Sequence, residues 1–233
     1  MSIFYQAGTV TAFLSGVYNG DVPFKTLSHY GDFGLGTFNG VDGELIAVDG
    51  VFYRVDAKGI ASIVSPELCT PFAVLNQFQK VEPLILEGNF DLKTLSDALD
   101  KHLTTTNIFY MMRIDCELEW IKLRSESCQP RPYRPLTETL PLLQTLFELN
   151  QTRGTLVVSR CPDYSASVTI PGFHYHYIND ERTTGGHVFD FKLRRATVMI
   201  NPLRQFNMIL FNNKEFDQCQ LDMKLLSGLK EIE

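Results

Sequence analysis

Apolar and polar residues alternate with a period of two along much of this chain, the pattern of strands with one buried face. Glu44 to Val64, ELIAVDGVFYRVDAKGIASIV, is the first long example. Asp49-Gly50 and Lys58-Gly59 punctuate it into short runs of Val, Ile and aromatics, so it reads as a meander. Thr70 to Gln79 reads as another strand, and Asn107 to Glu126 as two long strands, the second ending near Arg124. Beyond Gly154 the pattern is β again, over 154–160, 165–170, the stretch 171–190, 191–200 and 206–211.

The period changes to helical at Asp91, a good N-cap, after which Leu92, Leu95, Leu99 and Leu103 recur at helical spacing. Asp97 and Lys101 stand one turn apart on that helix and are expected to pair. A second helix is expected to start at Thr137 to Thr139, with Pro141 tolerated in its first turn and Leu140, Leu143 and Phe147 as its buried stripe. Near the start, Phe13, Leu14 and Val17 suit one short helix, Asn19-Gly20-Asp21 breaks it, and Pro23 opens another through Leu27. The sum is a β-rich α+β protein, with mostly antiparallel or mixed sheets and peripheral helices. Residues 1–233 are read as one unit. The Pro-rich connector QPRPYRPL at 129–136 cannot serve a central ladder, and a division into two sheet-based subdomains would fall there.

The densest chemistry lies in PGFHYHYINDERTTGGHVFD, from Pro171 to Asp190. His174 and His176 are two apart, so on a strand they share a face, with Tyr175 and Tyr177 on the other. Asn179 to Gly186 is rich in turn-formers. A regular hairpin that opposes His187 to His176 has its midpoint between Glu181 and Arg182, inside that turn. Three imidazoles then lie on one face of two neighbouring strands, which is the arrangement of a catalytic zinc site with an open fourth position. An HxH pair alone is a weak signal, since single histidines are more often surface or hydrogen-bonded core residues.

Composition narrows the classes. With 233 residues, 44% of them hydrophobic and 21% charged, the chain reads as an ordinary globular protein with room for a sizeable core. The net charge of −6 argues against a general nucleic-acid binder. No run approaches a membrane span, and MSIFYQAGTV lacks a basic segment followed by an apolar one, so neither a membrane association nor a secretory signal is expected. Five scattered cysteines, with no CxxC pair, suit reduced thiols in the cytoplasm. The glycine-rich segment from His29 to Gly50 contains neither GxGxxG nor GxxxxGK[ST], so a phosphate loop is not indicated. Glu44 sits at its far end.

GDFGLGTFNGVDGE, TPFAVLNQF, NIFYMMRI, RPYRPLTE, GTLVVS and PGFHYHYINDERTTGGHVFD, in this order, resemble α-acetolactate decarboxylases over nearly the whole chain. The resemblance implies Zn2+ bound by His174, His176 and His187. It also implies roles for Glu44 and for Arg124, and places Thr37 near the substrate. The last site residue it implies is a glutamate near the end of the chain, where Glu231 and Glu233 compete and spacing favours Glu233. A homodimer is implied as well. The segment KLRSESCQPRPY departs from the Thr-Val-Pro that more usually follows the arginine, and Arg113 competes with Arg124 for its role.

The residue types suit that chemistry. The substrate, acetolactate, is a β-keto acid with a hydroxyl on the carbon that loses carbon dioxide. A zinc ion can chelate that hydroxyl and the keto oxygen, and the charge of the resulting enediolate develops beside it. An arginine fork matches the departing carboxylate, and Glu44 or Glu233 can return a proton to give acetoin. Two other readings stay open. HxH followed by Glu181 fits a cupin-like metal dioxygenase, and three histidines also fit a non-catalytic protein with a structural zinc.

Overall fold

A computed structural model describes residues 3–228 as two β-sheets packed face to face. The first sheet is built almost wholly from the N-terminal third. It contains β1 (Ile3–Ala7), β2 (Phe33–Thr37), β3 (Glu44–Val48), β4 (Val51–Val55), β5 (Ala61–Ile63) and β6 (Ala73–Asn76). The short helices α1 (Val10–Leu14) and α2 (Phe24–Leu27) fall between β1 and β2, close to where the sequence puts them. β2, β3 and β6 are buried along their whole length because both faces are covered. Successive residues of β3 serve two cores: Leu45 and Ala47 pack outward with Phe24 and Leu27 of α2. Ile46 and Val48 pack inward against the second sheet.

The second sheet contains β7 (Leu84–Phe90), β8 (Phe109–Glu126), β9 (Gln144–Cys161), β10 (Gly172–Asn179) and β11 (Gly185–Leu203). Its strands run in the order β10-β9-β8-β11-β7, and β10 also pairs with β11, so four of them close into a ring at the hairpin end. Alternation again divides the cores. Phe109 and Met111 face the first sheet, whereas Tyr110, Met112 and Ile114 face the cluster under α3 (Leu92–Asp100). Asp91 caps α3 in a reciprocal box with Thr94, and Leu95 and Leu99 are fully buried. Asp97 pairs with Lys93, one turn before it, and not with Lys101.

Three expectations are corrected. Residues 109–126 form one long strand, since Asp115, Glu117 and Glu119 keep the alternation and no Gly or Pro interrupts it. The second helix, α4 (Leu136–Leu143), stops earlier than expected and runs straight into β9. Phe147 is therefore a strand residue, its ring set against Gly59. Residues 165–170 form a turn instead of a strand, because Val168 gives its carbonyl to Val10 N at 2.9 Å and to Gln6 Nε2 at 2.8 Å. The Pro-rich segment 129–136 joins β8 to α4.

After β11 the chain returns to the first sheet as β12 (Gln205–Ile209), parallel to β1. A short helix, α5 (Lys214–Gln218), follows and is capped by Asn213. Among the described residues no helix is long and apolar enough to cross a membrane.

Candidate functional site

The hairpin of β10 and β11 has the register that the turn arithmetic predicts, with His176 opposite His187. Asn179 organises the turn: its Oδ1 accepts from Thr183 N at 2.9 Å and Thr184 N at 3.0 Å, and its Nδ2 donates to Glu181 Oε2. The two glycines that follow let backbones meet. A Cβ on Gly185 would lie 2.2 Å from Tyr177 O, and one on Gly186 would lie 2.5 Å from Arg124 O. Glu181 is exposed at the turn tip, far from any role as a ligand partner of the histidines, which removes the cupin-like reading.

Tyr175 and Tyr177 belong to the core beneath α3, so the histidines between them face the first sheet. His174, His176 and His187 are all buried, and one ring nitrogen of each lies within 4.8 Å of those of the other two. His176 Nδ1 is 2.9 Å from Leu45 O. A carbonyl only accepts, so Nδ1 carries the hydrogen and Nε2 presents its lone pair. That Nε2 is 3.2 Å from Glu44 Oε2. His174 Nε2 and His187 Nδ1 face each other at 3.2 Å. Two nitrogens held by one zinc at about 2.05 Å in tetrahedral array would stand about 3.3 Å apart. The buried Nε2 atoms of His176 and His187 have no hydrogen-bond partner among the described residues. Three buried imidazoles gathered this closely, with the His176 Nε2 lone pair meeting no donor among the described residues, fit a cation.

Protonation agrees. Burial, with the neighbouring Arg124 cation, pushes His176 down to about 3. Burial likewise drives His174 and His187 well below the usual histidine range. All three are neutral at pH 7, as metal ligands must be.

Glu44 begins β3 and shares the inward face of Ile46, which buries it between the sheets at 5% exposure. It is not the surface residue that a strand start after a glycine-rich turn would suggest. Arg124 on β8 pairs in register with His187, is 5% exposed, and has its Cζ 5.2 Å from the Phe189 ring. Its Nε is 3.0 Å from Glu126 Oε1 and 3.9 Å from Glu44 Oε1. Thr37, opposite Glu44 on β2, donates its hydroxyl to Gly43 O at 2.8 Å. Arg113, the competing arginine, pairs with Asp49 and Asp115 outside the cluster. Glu233 and Glu231 lie outside the described residues. Glu126 is the buried group that sequence reasoning missed; its spacing of two from Arg124 on one strand was the available signal.

These side chains line one cavity of about 50 Å³, closed on the other side by Val10, Phe13, Phe72, Leu136, Leu140 and Ile170. By the same measure a single water needs about 10–15 Å³, so the space suits a small molecule with a polar end and an apolar end. Residues 4–223 match the family model described as alpha-acetolactate decarboxylase. The chain belongs to that family. As an alpha-acetolactate decarboxylase family member it is a carboxy-lyase. A relative from Methanosarcina mazei with the same name is 37% identical, over 99% of this chain and 80% of its own length. Another from Methylococcus capsulatus is 40% identical, over 88% of this chain and 78% of its own. The crystal structure of alpha-acetolactate decarboxylase from Bacillus subtilis strain 168 matches with a TM-score of 0.94 at 34% identity, covering 98% of this chain and 97% of that one. Two packed sheets with few helices are therefore the fold of this decarboxylase family.

Proposed function

We propose that this decarboxylase converts acetolactate to acetoin, with zinc held by His174, His176 and His187. The observation that supports the metal is the gathering of three buried, neutral imidazoles, with His176 Nε2 lacking a hydrogen-bond partner among the described residues. An all-imidazole set of three is a zinc donor set that keeps a fourth position for substrate. A structural zinc would more usually have a fourth ligand with cysteine among the set, and Cys116 and Cys161, the buried cysteines, lie outside the cluster. When bound, the ion would supply a Lewis acid for the substrate's hydroxyl and keto oxygens.

The remaining work falls to the chain. Arg124 receives the substrate carboxylate, for which its planar fork is the matching shape. The electron pair of the breaking carbon–carbon bond moves into the adjacent carbonyl and leaves an enediolate. Glu44, held between an imidazole and the guanidinium, returns a proton to carbon and so sets which face is protonated. Thr37 has committed its hydrogen to Gly43, so its oxygen is left to accept from the substrate hydroxyl. The apolar wall takes the methyl groups and keeps water from the enediolate. Glu233 is the second candidate for the proton donor.

The test is incubation of the metal-loaded protein with acetolactate, with acetoin measured against the spontaneous background. Acetoin above background, with about one zinc per chain, is the expected result. Bound zinc without turnover would overturn the proposal.

A further inference from the structure

The cavity wall is not equally thick all round. Every other described residue that lines it is buried, whereas Phe13 is half-buried, the least covered of the lining. Cutting back a fully buried wall residue meets a second layer of protein behind it. Behind the Phe13 ring there is little, so in this direction the reach of the cavity ends at one side chain.

That side chain is held in place. Phe13 sits in α1, whose first turn is fixed by the Thr9 cap on Ala12 N and by Val10 N donating to Val168 O at 2.9 Å. Its ring stacks on Phe72 at 6.0 Å between centroids, with 26° between planes, and meets Tyr18 edge-on at 5.4 Å and 77°. Both partners are buried, and Tyr18 is anchored in turn, its hydroxyl donating to Arg134 O at 2.9 Å. Rings locked from two sides do not swing aside to make room.

The substrate says what points at this wall. The carbon that loses carbon dioxide carries a hydroxyl, a carboxylate, a keto group and one alkyl group. The first three belong at the polar end, among the histidines, Glu44 and Arg124. On a tetrahedral carbon the fourth must then point away from them, towards the apolar end. The cavity is only about 50 Å³, so a longer alkyl chain has to push against that wall.

We propose that Phe13 is the specificity-determining residue for this alkyl group: its ring stops the site at short chains and refuses 2-hydroxy-3-keto acids with longer ones. The proposal rests on the reading of the site given above, and it concerns discrimination between substrates, not the chemical step.

The experiment gives the metal-loaded enzyme acetolactate and its homologue with propyl in place of the methyl on the hydroxyl-bearing carbon. Each ketol product is measured against its spontaneous background. Native enzyme should show kcat/KM lower by at least about tenfold for the propyl compound. Phe13→Ala should raise the propyl-to-methyl ratio of kcat/KM by at least about tenfold over native. A purely structural role for Phe13 would lower both substrates together and leave the ratio where it was. If the alanine variant does not fold, Phe13→Leu, which keeps an apolar contact with Phe72 and shortens the ring's reach, should raise the ratio about threefold. An unchanged ratio in the alanine variant, or in the leucine variant in its place, overturns the proposal. So does a native enzyme that handles propyl as well as methyl, or a ratio moved by Leu140→Ala and not at position 13. Failure of the underlying reading looks different: native protein would then give no acetoin above background from acetolactate itself.

Discussion

Glu44→Gln separates chemistry from scaffolding, because the amide keeps the shape of a side chain only 5% exposed while losing the ability to exchange a proton. Glu44 lies 3.9 Å from Arg124 Nε and 3.2 Å from His176 Nε2. Arg124 keeps Glu126 at 3.0 Å, so no buried cation is left without a partner. The penalty of about 3–5 kcal/mol for breaking an isolated buried pair therefore does not apply. What weakens is the longer contact of 3.9 Å to Arg124. A net loss of about 1–2 kcal/mol follows. For a chain of this size that is a fall in Tm of roughly 2–8 °C. The chemical cost is larger: a general acid contributes about 10²- to 10⁴-fold, equivalent to about 2.7–5.4 kcal/mol in the barrier. The assay reads acetoin formation, zinc content and melting temperature on the same preparation. Turnover down by at least about a hundredfold, with zinc retained and a modest shift in Tm, is the expected pattern. Turnover within threefold of native would refute the proton-transfer role and leave Glu233 as the donor. Loss of zinc together with turnover would make Glu44 a ligand.

Three further outcomes are expected. His176→Ala should strip most of the zinc, as elemental analysis of the purified variant would show; full occupancy would remove His176 from the site. Arg124→Lys keeps the charge and loses the fork, so kcat/KM should fall by about 10- to 100-fold with zinc still bound; native kinetics would refute it. In metal-free protein His176 stays neutral down to about 3, whereas in the unfolded chain it titrates near 6.5. The unfolded state thus binds more protons between those values, and stability is lost as pH falls from about 6.5. At pH 5 this histidine alone accounts for about 2 kcal/mol, with His174 and His187 acting in the same direction. A Tm of metal-free protein that does not fall between pH 7 and pH 5 would refute this.

The hairpin was legible in the sequence because its determinants are local. Two histidines two apart fix a face, Asn179 and the glycines fix the turn, and the pairing of His176 with His187 follows by counting. α2 and α3 were legible for the same reason, through Pro23 and the Asp91 cap. Glu44 and Arg124 were named through the resemblance, since nothing near them in sequence tells that two sheets close over both. Their meeting depends on pairings such as Leu45 O with His176, 131 residues apart. Glu126 escaped notice because a carboxylate at the end of a strand ordinarily faces water, and only the packing of the first sheet against β8 denies it that. The early end of α4 was equally hidden: the apolar spacing of Leu140, Leu143 and Phe147 fits a helix as well as a strand that starts at Gln144.

β12 has a consequence for how the molecule is made. During synthesis on a ribosome the strands from β1 to β6 emerge first and can pair among themselves, but one side of β1 stays open until Gln205–Ile209 arrive to lie along it. For the whole interval in which the second sheet is translated, the nascent chain carries a row of unsatisfied backbone groups beside a phenylalanine, Phe4, one of whose aromatic neighbours, Phe206, has yet to appear. The last strand made closes the edge of the first. A ribosome stalled before residue 205 should therefore hold a product prone to pair with its neighbours, and fusing the two ends into a circular permutant opened elsewhere would shorten the time that edge is left bare.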